Sequence, residues 1–366
     1  MKIGILKETL DGERRVAITP NIAKQLIASG FEILVEEGAG DYSSFKDSDY
    51  TNVEVTVEKR SVVFHEAEIL LKINPFDEED LKLVDEGQIL ISKLYHKSNP
   101  ELIQAIANKG VTAFSMDAIP RISRAQDMDV LSSQNNLAGY KAVILGAFEM
   151  TKIFPLMMTS AGTIAPARVL IYGIGVAGLQ AIATAKRLGA IVEATDIRSE
   201  TKEQAESLGA KFISVDNEGE KSEGGYAKEA SQDYVKRQKE TVNKSLFQAD
   251  LVITTANIPG RKAPILITEE QVMQMKNGAV IIDLAAAQGG NCEVSRINKT
   301  IVKNGVKVIG TSIDPRSVST NASDLYAKNI YNYIRHLTEG VNFKWDLKEE
   351  ITDETLIVQN GTIRKN

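Results

Sequence analysis

The chain has 366 residues, of which 43% are hydrophobic and 25% charged, a composition typical of a globular protein with two or three domains. Its 43 basic and 49 acidic residues give a formal net charge of -6, which argues against a nucleic-acid partner or an anionic membrane surface. The single cysteine, Cys292, excludes an intrachain disulfide and fits a reducing compartment such as the cytoplasm.

No secretory or membrane-crossing segment is expected. The apolar run Ile3–Leu6 is followed at once by Lys7 and Glu8, so it is too short for the core of a signal peptide. The longest apolar region, residues 138–185, is interrupted by charged side chains and holds no apolar run of about 18 residues. We therefore expect a chain without a membrane span of its own.

The first third of the chain alternates β-rich runs with amphipathic segments. Helices are predicted over Pro20–Ala28 and Pro100–Lys109, each with proline in its first turn, where proline is well tolerated. This alternation predicts a parallel α/β sheet. The predicted strands are Lys2–Lys7, Phe31–Glu36, Glu68–Ile73, Gln88–Leu94 and Val111–Met116.

A second α/β series begins after Ala167. A helix is predicted over residues 176–188, and the helix-like stretch Ala322–Leu337 predicts that the chain then returns to its first domain. The domains are therefore predicted as residues 1–136 plus 320–366 and residues 137–319. The predicted strands of the second series are residues 168–172, 191–195, 211–215, 250–255, 279–284 and 306–310.

Two polar segments interrupt this alternation. Residues 121–136 (RISRAQDMDVLSSQNN) lie just before an apolar helix. Residues 216–240 (DNEGEKSEGGYAKEASQDYVKRQKE) are mostly polar, with Tyr226 directly after Gly224 and Gly225. The second segment is either an exposed helix or loop, or a mobile loop that covers a site, with Tyr226 at its glycine hinge.

A glycine motif opens the second series. In ARVLIYGIGVAGLQAIATAKRLGA, Gly173, Gly175 and Gly178 follow an apolar strand and begin a helix. The first glycine permits a tight turn, the second lets the backbone approach a pyrophosphate, and the third allows close packing of helix and strand. The helix N-terminus offers free amide groups to the phosphates. The motif therefore predicts that the chain binds a dinucleotide.

Asp196 follows the next predicted strand, where a carboxylate can accept hydrogen bonds from an adenosine ribose. Its charge would repel a 2′-phosphate, so NAD(H) is favoured over NADP(H). Arg198, close by, weakens that preference. The fold is thus predicted to be α/β with two Rossmann-like parallel-sheet domains, the second being a dinucleotide-binding domain inserted in the first.

Residues for acid–base catalysis are scarce. The chain has three histidines, of which His65 and His336 lie in helix-like segments that favour structural roles. For His96, which follows a strand end in ISKLYHK, a structural role and a place in a substrate pocket are both open. Cys292 has no histidine near it in the sequence and is expected to be buried and inert. Hydride transfer between two nicotinamides would suit this chain, because neither ring needs an acid–base step.

The polar residues 121–132 offer a candidate nicotinamide site. Arg121, Gln126, Asp129 and Ser132 carry groups that can bind a carboxamide and ribose hydroxyls through hydrogen bonds. Their spacing alone is equally compatible with a polar linker between two domains.

Four segments resemble the NAD(H)-binding component of proton-translocating NAD(P) transhydrogenases, which is the soluble first domain of the alpha subunit. They are PRISRAQDMDVLSSQNNLAGYKAV, MMTSAGTIAPARVLIYGIGVAGLQAIATAKRLGA, GGYAKE and VIIDLAAAQGGN. The resemblance covers nearly the whole chain, and the first segment is highly specific to the family. It implies a Re/Si-specific enzyme in which hydride passes directly between NAD(H) here and NADP(H) on a partner domain, coupled to proton translocation.

The resemblance also implies an assembly. The component is expected to form a homodimer that docks on an NADP(H)-binding domain and on a membrane-spanning domain. It would lie in the cytoplasm, peripherally attached to the inner membrane through the membrane subunits.

Residue roles follow from the resemblance at the matching positions. Gln126 is expected to reach the partner's nucleotide, and Asn257, in TTANIPG, stands at a cofactor position where the family often has an apolar residue. The nicotinamide end would be held by Arg121, Gln126, Asp129 and Ser132, and the pyrophosphate by Ile174, Gly175 and Val176. The adenosine ribose would be held by Asp196, Ile197 and Arg198. The residues expected to close over the nucleotide are Gly225, Tyr226 and Gln238.

NAD-dependent alanine dehydrogenase is the nearest alternative, because it shares the fold and the opening pattern GILKE…ERRVAITP…GAG. Arg15 and Lys72 match its substrate-binding arginine and lysine. The positions of its catalytic histidine and aspartate are occupied here by Tyr95 and Ala287, and His96 lies one residue after the histidine position. An enzyme that moves a proton to or from an amine should not lack both groups. Arg15 and Lys72 are therefore interpreted as ion-pair or anion-site residues of the fold.

A third possibility is an NAD-sensing module without catalytic activity. It predicts an intact glycine motif beside a degenerate polar loop. Residues 121–132 retain all four candidate nicotinamide contacts, which disfavours this possibility.

Overall fold

The structure, a computed structural model, describes residues 1–213, 232–257, 262–310 and 315–365, without the side chains of residues 232–239 and 315–316. The chain divides into two compact units. Unit 1 comprises Met1–Gln134 and Pro315–Asn366, and unit 2 comprises Asn135–Asp314.

Strands and helices alternate along the first half of the chain, as in a parallel α/β fold. In chain order they are β1 (Lys2–Ile5), α1 (Pro20–Ala28), β2 (Glu32–Glu36), α2 (Asp47–Thr51), β3 (Thr56–Glu58), α3 (Arg60–Glu66), β4 (Ile69–Leu71), α4 (Glu78–Leu83), β5 (Ile89–Ser92), α5 (Pro100–Ala107), β6 (Thr112–Ser115) and α6 (Val130–Glu149). Short 3₁₀ helices cover Asp41–Ser43, His96–Ser98, Met116–Ala118 and Ser123–Met128.

The second half of the chain forms a further α/β series, and its C-terminal residues then belong to unit 1 again. Its elements are β7 (Met157–Thr159), β8 (Gly162–Ile164), β9 (Arg168–Tyr172), α7 (Val176–Arg187), β10 (Ile191–Thr195), α8 (Thr201–Ser207), β11 (Lys211–Phe212), α9 (Gln232–Gln248), β12 (Leu251–Thr254), α10 (Glu269–Gln274), β13 (Val280–Asp283), β14 (Lys299–Lys303), β15 (Val306–Gly310), α11 (Ser319–Leu337), β16 (Thr338–Glu339), β17 (Asn342–Phe343), α12 (Glu350–Thr355), β18 (Leu356–Gln359) and β19 (Thr362–Ile363). Short 3₁₀ helices cover Ala286–Gln288 and Pro315–Val318.

Unit 1 is built on a sheet with the strand order β19-β18-β6-β5-β4-β1-β2-β3. The strands from β6 to β3 pair in parallel, whereas β18 pairs antiparallel with β6, and β19 antiparallel with β18. Strands β4 and β5 are almost wholly apolar, as expected where both faces of a parallel sheet are covered. Helix α11 packs on this sheet through a buried stripe that recurs at helical spacing. The stripe contains Tyr326, Ile330, Tyr333 and Leu337.

Unit 2 is built on a sheet with the strand order β11-β10-β9-β12-β13-β15-β14. All neighbouring pairs are parallel except β14 with β15, which form an antiparallel hairpin. The chain moves outward from β9 to β10 and β11, and then resumes on the other side of β9 with β12. The strand order therefore reverses between β9 and β12, and this point positions the site described below.

Both sheets confirm the predicted fold class of two Rossmann-like α/β domains dominated by parallel strands. The strands β3, β7, β8 and β14 and the C-terminal strands β16 to β19 were not predicted. Within the described part of the chain, no helix combines the length and the apolar character needed to cross a bilayer.

Candidate functional site

The glycine motif lies at the carboxyl edge of the unit 2 sheet, where the strand order reverses and doubly wound sheets bind ligands. Gly173, directly after β9, has a φ of +90°, a conformation that glycine adopts at little cost. Helix α7 begins at Val176 with Gly175 as its N-cap, and no side chain caps it. Its first backbone N–H groups can therefore serve an anionic ligand.

The other two glycines of the motif have different surroundings. A Cβ atom on Gly178 would lie 1.9 Å from the carbonyl oxygen of Gly173, so only glycine lets α7 pack this closely against the turn. A Cβ atom on Gly175 would meet no described atom within 4 Å. Gly178 therefore serves the packing of the protein, and Gly175 leaves open space above the turn.

Asp196 follows β10 and reaches the same turn. Its Oδ2 accepts a hydrogen bond from the backbone N–H of Ile174 at 2.6 Å, and its Oδ1 accepts one from the backbone N–H of Arg198 at 2.9 Å. The Arg198 guanidinium also binds both carboxylate oxygens at 3.0 Å. The Asp196 side chain is 5% exposed and that of Arg198 is 51% exposed.

Burial raises the pKa of the Asp196 carboxyl, but the hydrogen bonds from Arg198 and Ile174 outweigh burial and hold that pKa below its ordinary value. The carboxylate is therefore ionised at neutral pH. A charged acceptor at this position can bind hydroxyl groups, which are hydrogen-bond donors.

Two buried polar residues beside the turn were not identified from the sequence. Asp283, at the end of β13, accepts hydrogen bonds from Thr254 Oγ1 and from the backbone N–H groups of Ala285, Asn291 and Cys292. Asn291 then accepts a hydrogen bond from Ala256 N–H and donates to the carbonyl oxygens of Ala256 and Pro264. Both lie in VIIDLAAAQGGN. The sequence could have identified Asp283, because its carboxylate ends an apolar strand.

Unit 1 holds a pocket of about 360 Å³ at the start of α6, lined by both polar and apolar residues. All four predicted nicotinamide residues contribute to it, so the structure brings them together. Gln126 and Arg121 are exposed, and the structure shows no hydrogen bond from either side chain to the part of the chain that it describes. The pocket is lined by Pro120, Arg121, Ile122, Gln126, Asp129 and Ser132.

Asp129 and Ser132 interact with each other in this pocket. Asp129 Oδ1 accepts a hydrogen bond from the backbone N–H of Ser132 at 2.9 Å, and Asp129 Oδ2 accepts one from Ser132 Oγ at 2.6 Å. This is the geometry of a helix N-cap, and Asp129 directly precedes α6. The pair therefore stabilises the start of α6 in addition to lining the pocket.

Arg15 and Lys72 form ion pairs inside unit 1, in agreement with their interpretation as ion-pair residues. Arg15 binds Glu13 through Nη2 at 2.5 Å and donates to Gln134 Oε1 at 2.8 Å. Lys72 pairs with buried Asp80. Burial raises the pKa of Glu13, but the hydrogen bonds and charge of Arg15 outweigh it and lower that pKa to about 2.

The three histidines differ in their surroundings. Burial lowers the pKa of His96, and its Nδ1 has no hydrogen-bond partner among the described residues. His65 pairs with Asp85 on the surface, and His336 pairs with Glu349. Cys292 is buried, as expected, and burial raises the pKa of its thiol to about 12, so it is protonated and inert.

The remaining residues predicted to bind the cofactor differ in their exposure to solvent, and some lie outside the described part of the chain. Ile174 is buried in the turn, whereas Val176 and Ile197 are exposed, Ile197 to 95%. Asn257 is exposed after β12. Gly225 and Tyr226 lie outside the described residues, and Gln238 lies in α9, where the structure describes the backbone but not this side chain.

Comparisons with known proteins match the chain over almost its full length. The family model for the Alanine dehydrogenase/PNT N-terminal domain matches residues 4–138, and the model for the C-terminal domain matches residues 142–366. Among solved structures, an L-alanine dehydrogenase superposes with a TM-score of 0.83 at 25% identity, covering 99% of this chain and 96% of that one.

Proteins named as transhydrogenases are more similar. The first part of NAD(P) transhydrogenase subunit alpha from Rhodospirillum rubrum is 48% identical over 374 residues, which cover 99% of this chain and 97% of that protein. The crystal structure of the transhydrogenase from Sinorhizobium meliloti superposes with a TM-score of 0.92 at 39% identity and covers 100% of both chains. With this coverage and identity, the chain belongs to the family of NAD(P) transhydrogenase alpha subunits, within the wider alanine dehydrogenase/PNT group.

Proposed function

We propose that this chain binds NAD(H) and that hydride passes directly between that nucleotide and NADP(H) held by a partner domain. Two features of the described residues support the proposal. The glycine turn with Asp196 suits the adenosine half of the cofactor, and the unit 1 pocket presents Gln126 and Arg121 with side-chain donors that bind nothing else in the described chain. The family's alpha-subunit name agrees with this function.

The pyrophosphate would lie against the uncapped N-terminus of α7. The space beside Gly175 allows this approach, because no described atom lies within 4 Å of its Cβ position. Val176, the first residue of α7, would then offer its backbone N–H group to the phosphate oxygens. Ile174 would lie beside the pyrophosphate, with its own N–H donated to Asp196.

The adenosine ribose would bind to Asp196. Both carboxylate oxygens already accept hydrogen bonds, so the half-exposed Arg198 side chain must give up its share when ribose hydroxyls bind. Ile197, which is 95% exposed beside this carboxylate, would pack against the adenosine. A large apolar side chain this exposed gains from covering by a ligand.

The nicotinamide end would bind in the unit 1 pocket. Arg121 and Gln126 would bind its carboxamide or ribose, and Gln126 would lie nearest the second nucleotide. Asp129 and Ser132 would shape the opposite wall, because their mutual hydrogen bonds fix both side chains. By family resemblance, Gly225, Tyr226 and Gln238 would close over the nucleotide, and Asn257 would lie beside it.

Alanine dehydrogenase activity is not supported by the same residues. The positions of its catalytic histidine and aspartate hold Tyr95 and Ala287. His96 is mostly buried and lies one residue after Tyr95, so it does not occupy the position of the catalytic histidine. A direct transfer of hydride between nucleotides needs neither group.

The proposed assembly follows the family. We propose a homodimer of this chain, docked on an NADP(H)-binding domain and on a membrane-spanning domain that couples hydride transfer to proton translocation. The chain would then lie in the cytoplasm and attach to the inner membrane only through its partners.

The function has a direct assay. The purified chain is mixed with an NADP(H)-binding component of a transhydrogenase, and the reduction of acetylpyridine adenine dinucleotide by NADPH is followed by absorbance. We expect reduction that depends on both proteins. Absence of activity with any such partner, together with alanine-dependent formation of NADH by the chain alone, would contradict the proposal.

Replacing Asp196 by alanine is expected to weaken NADH binding by about 1–3 kcal/mol, a typical loss for hydrogen bonds to a charged group. The affinity would be measured by calorimetry or by NADH fluorescence. Unchanged affinity would refute the ribose role of Asp196.

Arg198→Ala is the matched control, because it removes the cation beside Asp196 but keeps the carboxylate. We expect it to weaken NADH binding less than Asp196→Ala does.

The pKa of Asp196 lies below its ordinary value, so its carboxylate stays charged between about pH 7 and about pH 5. We therefore expect protonation of Asp196 to leave the NADH affinity of the wild-type chain unchanged over this range.

A further inference from the structure

A buried asparagine of α11 joins the two chain segments that form the unit 1 pocket. Asn329 is 7% exposed. Its Nδ2 donates to the carbonyl oxygen of Asp127 at 2.7 Å, and its Oδ1 accepts from Ser133 Oγ at 2.7 Å. One amide therefore connects the 3₁₀ helix that carries Gln126 to the first turn of α6.

The backbone on both sides of Gln126 is anchored. Ala125 is fully buried and Met128 is 8% exposed, and both belong to the hydrophobic core that α11 covers. The Asp127 carbonyl between them also accepts a hydrogen bond from Asn332 Nδ2 at 3.2 Å. The exposed Gln126 side chain thus projects from a fixed backbone into the pocket.

The orientation of the Asn329 amide is determined by its two partners. A carbonyl oxygen can only accept a hydrogen bond, so the NH₂ group must face Asp127. The amide oxygen must then face Ser133, whose hydroxyl can donate to it. A flipped amide would place two acceptors, its own oxygen and the Asp127 carbonyl, against each other inside the protein, which is unfavourable.

We propose that Asn329 is a positioning residue for hydride transfer, which sets the place of Gln126 through the Asp127 carbonyl. The inference rests on the proposed function. If the donor is lost, the Asp127 carbonyl keeps only the longer hydrogen bond from Asn332. The peptide group after Asp127 is then held less firmly, and the position of Gln126 shifts with it. A displacement of about 1 Å near reacting groups lowers rates by about 10²-fold, whereas the adenosine half of the cofactor binds in unit 2.

The test compares Asn329→Asp with Asn332→Asp in the full chain, mixed with the NADP(H)-binding component. Both variants add one carboxylate to the same face of α11, but only the first removes the shorter, buried hydrogen bond. We expect Asn329→Asp to slow reduction of acetylpyridine adenine dinucleotide by about 10-fold to 10²-fold. The Kd for NADH should stay within about threefold, and Asn332→Asp should lose less activity.

Ser133→Ala serves as a second variant in case Asn329→Asp does not fold. It keeps the donor to Asp127 but removes the hydroxyl that orients the amide, so an intermediate loss of hydride transfer is expected with NADH binding retained. A normal rate in both Asn329→Asp and Ser133→Ala, or equal losses of rate and NADH affinity, would overturn the positioning role. If the wild-type pair itself transfers no hydride, the proposed function fails first.

Discussion

Replacing Gln126 by leucine is expected to slow hydride transfer by about 10²-fold, the scale of a misplaced reacting group, with the Kd for NADH held within about threefold. Leucine has a similar volume but no donor or acceptor. The side chain is exposed and makes no hydrogen bond with the described residues, so the fold should be unaffected. Single-turnover rates with NADPH, compared with NADH titrations, measure the two effects separately.

Ser123→Ala is the control for Gln126. Ser123 is exposed at the start of the same 3₁₀ helix and does not line the pocket. Its replacement should leave both the rate and the affinity at wild-type values. If Gln126→Leu lowered the rate and the affinity equally, Gln126 would be a binding residue without a specific part in the transfer.

Gly178→Ala is expected to lower the free energy of unfolding by about 3 kcal/mol, the upper part of the range for overpacking. The added methyl would lie 1.9 Å from the carbonyl oxygen of Gly173, and a backbone atom cannot rotate away as a side chain does. Helix α7 must therefore shift away from the turn. Denaturant unfolding of the chain without nucleotide measures the loss.

Gly175→Ala provides the opposite case. Its methyl would meet no described atom within 4 Å, so the free energy of unfolding should be unchanged. NADH binding should nevertheless weaken, because the methyl would occupy the space through which the pyrophosphate approaches the backbone. Equal stability of Gly178→Ala and wild type, or full NADH affinity in Gly175→Ala, would contradict these assignments.

The parallel sheets were predictable because they depend on local patterns. The strands predicted at residues 168–172, 191–195 and 306–310 coincide with β9, β10 and β15. Short apolar runs between amphipathic helices indicate a sheet covered on both faces. Helix α11 was predicted from Ala322 and begins at Ser319, because the polar residues of its first turn do not continue the apolar stripe.

Two of the four antiparallel hairpins that were not predicted carry a recognisable turn signal in the sequence. Asn304 and Gly305 join β14 to β15, and Asn360 and Gly361 join β18 to β19, all with positive φ. An Asn-Gly pair between apolar residues is the strongest short-range indication of such a turn.

The pocket could be predicted only in part. The polar side chains of Arg121 and Gln126 indicated a binding loop. Composition alone could not show that Asp129 and Ser132 cap α6, or that Asn329 anchors the loop, because residues that contact a ligand have the same polar types. Asn329 lies about two hundred residues away from the loop that it holds, and a single sequence carries no sign of such a pairing. Long-range hydrogen bonds of this kind become visible only in the folded chain.

The hydrogen bonds of Asp283 and Asn291 have a consequence for protein engineering. The conformation of the backbone at Ala256, next to the glycine turn, is determined by Asn291, a residue of a separate segment that Asp283 holds in place. A chimera that imports only the glycine motif and the strand after it would receive a turn without its support. Functional exchange of nucleotide specificity between members of this family should therefore require both segments to be transplanted together.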